Sequence, residues 1–161
     1  MKKDIQIKYK LIDLLILDLE KQLDAYENEM KKAQEEANYH KGAMASRYDT
    51  FKEEAQMLKD GFARQYQKSL EILASLNQFK KNITINNKDI VTVGSLVSVL
   101  EDETEKEYYI LPDITYTSFE IENIKFECIS SHTPLAKALL GKEIDDEVIF
   151  NNRYLEILDL F

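Results

Sequence analysis

From Ile12 onward the apolar positions recur in steps of four and three: Ile12, Ile16, Leu19, Leu23, Tyr26, Met30, Ala33, Ala37, His40 and Met44. A repeat sustained beyond four heptads predicts an α-helix with a single apolar seam, as in a coiled coil. The intervening positions are mostly charged or carry amides, as in EKQLDAYENEMKKAQEEAN. A helix over 12–44 would be roughly 50 Å long at 1.5 Å per residue. The stretch GAMASRYDTFKEEAQ (42–56) interrupts the rhythm with Gly42, small residues and Ser46. Phe51, Ala55, Leu58 and Phe62 then resume it, and Tyr66, Leu70, Leu73 and Leu76 continue with a slip that reads as a stutter. Two similar helical stretches around such a break predict an antiparallel coiled-coil hairpin over 1–80, with its tip near 42–50. A parallel homodimeric coiled coil is the competing arrangement; the glycine and small polar residues favour folding back.

Near Lys80 the period changes. Asn86–Lys88 is a turn signal, and short β-rich runs follow: DIVTVGSLVSVLE, EYYILPDITY, KFECISS, DEVIF and YLEILDLF. Among them PLAKALLG predicts one short helix, capped by Thr133, opened by Pro134 and stopped by Gly141. A small antiparallel sheet with one short helix, over about 82–161, makes the whole chain α+β.

Charge divides the chain in the same place. Residues 1–80 carry as many acidic as basic side chains, so the formal net charge of −9 resides in 81–161. An acidic second half repels phosphate, which argues against direct DNA binding and favours a basic protein partner. The apolar run LIDLLILDL is broken by Asp13 and Asp18 and is too short to span a bilayer. A single cysteine, Cys128, cannot close an intramolecular disulfide and reads as a buried structural thiol; a cytoplasmic protein is expected. His132 has no second ligand at zinc spacing, and His40 falls on the seam. Tyr108, Tyr109, Tyr116 and Phe119 have strand spacing and read as core and strand-pair aromatics. No phosphate loop, dinucleotide fingerprint or nucleophile elbow is present.

The ten residues Thr133-Pro134-Leu135-Ala136-Lys137-Ala138-Leu139-Leu140-Gly141-Lys142, followed by a short acidic link and a strand, resemble the C-terminal pattern of bacterial transcript-cleavage factors of the GreA/GreB family. VTVGSLVSVLEDETEKEYYILP resembles that family's first strand pair. The resemblance implies an FKBP-like domain after a coiled-coil hairpin. It further implies docking on bacterial RNA polymerase, with Pro134, Lys137 and Lys142 at the docking surface. The hairpin would enter the polymerase secondary channel and modulate elongation, bringing tip carboxylates to the polymerase's own Mg²⁺ so that backtracked nascent RNA is cut. The factor would hold no cofactor of its own and have no active site of its own.

By the same resemblance, Asp49 stands where the second tip acid of the family falls and would be the Mg²⁺ ligand, helped by Glu53 or Glu54. The first acid falls at Ser46, which is neutral. EEANYH (35–40) offers a different local match, requiring a shifted hairpin. Without the resemblance, Asp49, Glu53 and Glu54 are equally explained as acids near a helix N-terminus, and Lys137 and Lys142 as solvated cations near a helix end. Arg47 and Lys52 would weaken a metal site beside them. The alternatives are a channel binder that regulates or inhibits without cleavage and, from another class, an FKBP-like prolyl isomerase or chaperone module.

Overall fold

The computed structural model describes residues 5–39, 45–83 and 89–161, the side chains of Tyr39 and of 45–49 excepted. Gly42, His40, Met44 and the Asn86–Lys88 turn therefore lie outside the described residues. Two long helices open the chain, α1 (Ile5–Tyr39) and α2 (Ala45–Lys81). The strands β1 (Leu96–Glu101), β2 (Thr104–Leu111), β3 (Thr117–Ile121) and β4 (Ile124–Ser130) follow, then α3 (Pro134–Leu139), β5 (Glu147–Phe150) and β6 (Arg153–Leu160). The structure is α+β, with a helical hairpin ahead of a six-stranded sheet and one short helix. Helix α1 begins seven residues before the seam, because Ile7, Lys8 and Leu11 are buried as well.

By its contacts the chain forms two units, one of them Leu15–Ala74 and the other combining both helix bases with the sheet. In the first unit, Leu19, Leu23 and Ala33 of α1 are buried, as the heptads predict, whereas Leu15 is buried in place of the expected Ile16, which is half-buried. Tyr26 meets Phe62 with ring centroids 6.4 Å apart, and Lys59 Nζ donates to Gln34 Oε1 at 2.9 Å, an antiparallel pairing. The α2 seam differs from the one expected. Leu58 is 53% exposed and Phe51 41%, whereas Ser69 is 6% exposed. The inward face runs Ala55, Lys59, Phe62, Tyr66, Ser69, Leu73, Leu76, an unbroken heptad with no stutter. Lys59 serves there through its apolar stem while its ammonium reaches a polar partner.

In the second unit the strand order is β3-β4-β2-β1-β6-β5. The sheet is not wholly antiparallel: β2 and β4 run parallel. The cause is the segment between Leu111 and Thr117, which splits the expected EYYILPDITY run and carries the chain to the sheet edge, so that β4 returns between β3 and β2. One sheet face buries Val97, Val99, Tyr108, Ile110, Leu155 and Ile157 against Ala136 and Leu139 of α3.

The helix bases are tied to the sheet at Gly94. Its φ of +98° suits glycine, and a Cβ there would meet the Phe79 ring at 3.0 Å. Its carbonyl accepts from Lys8 Nζ at 2.8 Å, and that ammonium lies 4.8 Å from the centre of the Phe161 ring. Asp13 and Lys80 pair between the two helices in the same unit.

Candidate functional site

The turn around α3 is built residue by residue from its sequence. Thr133 Oγ1 accepts from Ala136 N at 3.3 Å and donates to the Ser130 carbonyl at 2.8 Å, so it caps the helix and holds the end of β4. Pro134 fills the first helical position, where a missing N–H costs nothing. Ala136 and Leu139 point into the core. Gly141, at φ +80°, ends the helix, and its N–H donates to the Val91 carbonyl at 2.8 Å. Val91 N donates in turn to the Lys142 carbonyl at 2.7 Å, so the turn is strapped to the strand entry. These bonds leave Pro134 and Lys137 exposed and Lys142 half-buried.

At the hairpin end, α2 starts at Ala45, so position 49 lies in the first turns of a helix. The side chains of Ser46, Arg47 and Asp49 lie outside the described residues. Glu53, Glu54 and Lys52 are exposed. Helical geometry puts positions 49 and 53 on one face and turns 54 about 100° away. Glu53 and Glu54 therefore cannot act as an adjacent chelating pair; 49 with 53 is the pair the helix allows. Among the described residues no group of three or more His, Cys, Asp and Glu side chains could hold a metal.

A charged cluster that sequence reading missed lies at the end of β1. Glu101 is 4% exposed and pairs with Lys106 at 2.7 Å and with Arg153, while the Tyr108 hydroxyl donates to it at 3.4 Å. Burial pushes its carboxyl up, but Lys106, Arg153 and the Tyr108 hydroxyl outweigh that and hold it below the usual carboxylate range. Tyr108 and Tyr109 are buried, whereas Tyr116 is 56% exposed. Cys128 is buried as expected, and desolvation pushes its thiol up to about 12, so it is inert.

Residues 86–159 match the family model described as the C-terminal part of the transcription elongation factors GreA and GreB. Residues 86–159 are thus similar to the C-terminal part of GreA and GreB. The curated transcription elongation factor GreA of Psychromonas ingrahamii is 41% identical over 69 residues. That match covers 42% of this chain and 38% of the relative, so the chain spans under two fifths of that protein's length. Among solved structures, GreA factor homolog 1 of Thermus thermophilus is 14% identical with a TM-score of 0.34, covering 91% of this chain and 94% of that one. The Thermus aquaticus Gfh1 is 16% identical with a TM-score of 0.36, covering 89% and 91%. Within the matched residues, the Thr133–Lys142 turn and the Gly94 junction are two places where local geometry favours the residue type found there. The first was legible from its cap and its glycine; the second needed Phe79 and Lys8 to be seen against Gly94.

Proposed function

We propose that the chain binds bacterial RNA polymerase through its GreA/GreB-like domain and inserts the helical hairpin into the secondary channel to modulate elongation. The observation that carries this reading is the Thr133–Lys142 turn. It is capped by Thr133 and strapped to Val91, and it carries Pro134 and Lys137 exposed and Lys142 half-buried, in a chain that also holds a helical hairpin. Docking would rest on those three residues. The hairpin would reach the polymerase's active site with position 49 leading and position 53 on the same helical face. A carboxylate there would add an oxygen ligand to the polymerase's Mg²⁺ and orient the water that cuts backtracked RNA. The chain would act on the polymerase's chemistry in the cytoplasm and supply no active site of its own. Among the described residues, no helix is long and apolar enough to cross a membrane.

Ser46 favours a second reading, occupancy of the channel without cleavage, because it is neutral where the family's first tip acid falls. A prolyl-isomerase role would need an open pocket on the sheet, and the α3 side is filled by Val97, Val99, Tyr108 and Leu139.

The test is a backtracked elongation complex incubated with the protein, with Asp49→Ala and with the double variant Lys137→Glu, Lys142→Glu. Mg²⁺-dependent RNA shortening that Asp49→Ala abolishes supports tip chemistry. Binding without shortening supports occupancy. Absence of binding by the unaltered protein overturns the polymerase reading, and undiminished binding by the double variant overturns the docking surface.

A further inference from the structure

Side chains along β5 and β6 alternate between the two sheet faces. Val148, Leu155 and Ile157 are buried with α3, while Glu147, Ile149, Tyr154 and Glu156 turn to the other face and are exposed. On that face Ile149 stands directly opposite Tyr154, and they are 65% and 67% exposed. The next pair on the same face is Glu147 opposite Glu156, with Leu100 of β1 beyond Glu156. Like charges placed directly opposite in neighbouring strands repel. Among the described residues no lysine or arginine bridges this pair, and Arg153 is committed to Glu101. Leu100, Glu147, Tyr154, Glu156 and the turn residues Asp102 and Glu103 line a shallow depression of about 240 Å³. β5 is the last strand of the sheet, so this face continues to an open edge.

We propose that this face docks a protein segment carrying lysine or arginine beside an apolar side chain. Ile149 and Tyr154 offer an exposed apolar and aromatic contact beside the acidic pair. A cation between Glu147 and Glu156 replaces a repulsion with two attractions, and Asp102 and Glu103 extend the same sign of field around the depression. The charge also selects the class of partner. The sheet unit of a second copy carries the same excess of negative charge, and nucleic acid brings phosphate. The surface lies apart from the Thr133–Lys142 turn in sequence and does not depend on the polymerase reading.

The test uses the full ¹⁵N-labelled chain titrated with an alternating lysine/leucine peptide, with lysine/serine and glutamate/leucine peptides as controls. The lysine/leucine peptide is expected to shift the amides of 147–156 and 100–104 in a saturable way. Tyr154→Ser should weaken binding about tenfold, the loss associated with an anchoring aromatic. Glu147→Lys should abolish binding of the lysine/leucine peptide and admit the glutamate/leucine one. Glu156→Gln, which keeps size and removes charge, serves as the second variant and should weaken binding in the same direction. Equal binding of the lysine/serine peptide, shifts scattered over the molecule, no binding, or indifference to both Tyr154→Ser and Glu156→Gln would overturn the proposal.

Discussion

Replacing Lys8 by methionine tests the junction between the helix bases and the sheet. The side chain is fully buried, its ammonium donates to the Gly94 carbonyl, and it lies over the Phe161 ring. Burial lowers its pKa from the usual 10.5 to about 8. The folded chain thus holds this proton less tightly than the unfolded chain does. Between pH 8 and 10.5 the unfolded state binds more protons, so stability rises with pH through that window and is level below it. At ~1.4 kcal/mol per pH unit, raising the pH from about 7 to about 9.5 should add roughly 2 kcal/mol. Tyr108, Tyr109 and Cys128 work in the opposite sense, because burial raises their pKa values and their stabilisation fades as the pH climbs. They are common to both proteins and cancel in the difference. Methionine fills a similar volume, removes the desolvation cost and leaves the Gly94 carbonyl without its ammonium partner, a loss of about 1–3 kcal/mol. The two proteins should therefore be nearly equal in stability near neutral pH, and the unaltered chain should lead by roughly 2 kcal/mol near pH 9.5. Urea unfolding followed by near-ultraviolet circular dichroism, where buried Tyr108 and Tyr109 report on this unit, measures the difference. A gap that does not change with pH would refute the argument.

Glu103 sits at φ 63° in the two-residue turn between β1 and β2, a conformation that costs an L-residue about 1 kcal/mol or more. Glu103→Gly relieves that strain but frees the unfolded chain by about 0.5–1 kcal/mol, so the thermal midpoint should stay within about 2 °C in a calorimetric scan, and a fall of more than about 4 °C would show that the turn is not strained. On α2, Leu58→Gln should change stability by less than about 0.5 kcal/mol, because the side chain is mostly exposed. Ala55→Gln, one turn away on the inward face, should cost about 1–3 kcal/mol through overpacking; equal effects in urea titration would restore the seam with Leu58 in it.

The Thr133–Lys142 turn was legible because its residues act locally, through a hydroxyl cap, a ring that fits the first turn and a glycine at positive φ. The α1 seam was legible from Leu19 to Ala33, where no polar residue competes with the heptads, but not at its base, where Leu15 is buried and Ile16 only half-buried. The α2 register was not, since Leu58 and Leu70 outrank Lys59 and Ser69 in apolar character while neighbouring α1 selects the latter pair. The hairpin turns at 102–103, 122–123 and 151–152 take positive φ without any glycine, so the usual turn signal was missing. The parallel β2–β4 pair and the Glu101 cluster depend on strands that meet across the sheet, which no local pattern encodes. As for the candidate site, the cap and end of α3 could be read from Thr133, Pro134 and Gly141. Its tip portion rests on a spacing that helical geometry has narrowed from three acids to positions 49 and 53.

Gly94 also governs the order in which the molecule can assemble. Its carbonyl waits for Lys8, 86 residues earlier, whose ammonium in turn needs the ring of Phe161. On the ribosome the Lys8 contact with Gly94 and Phe161 can therefore be completed only after the last strand has emerged, a long loop to close for a contact of high sequence separation. A fragment cut to residues 86–159 would lose Lys8, Phe79 and Phe161 together. The boundary that sequence similarity draws is thus narrower than the compact unit, which takes in residues 1–14 and 75–161.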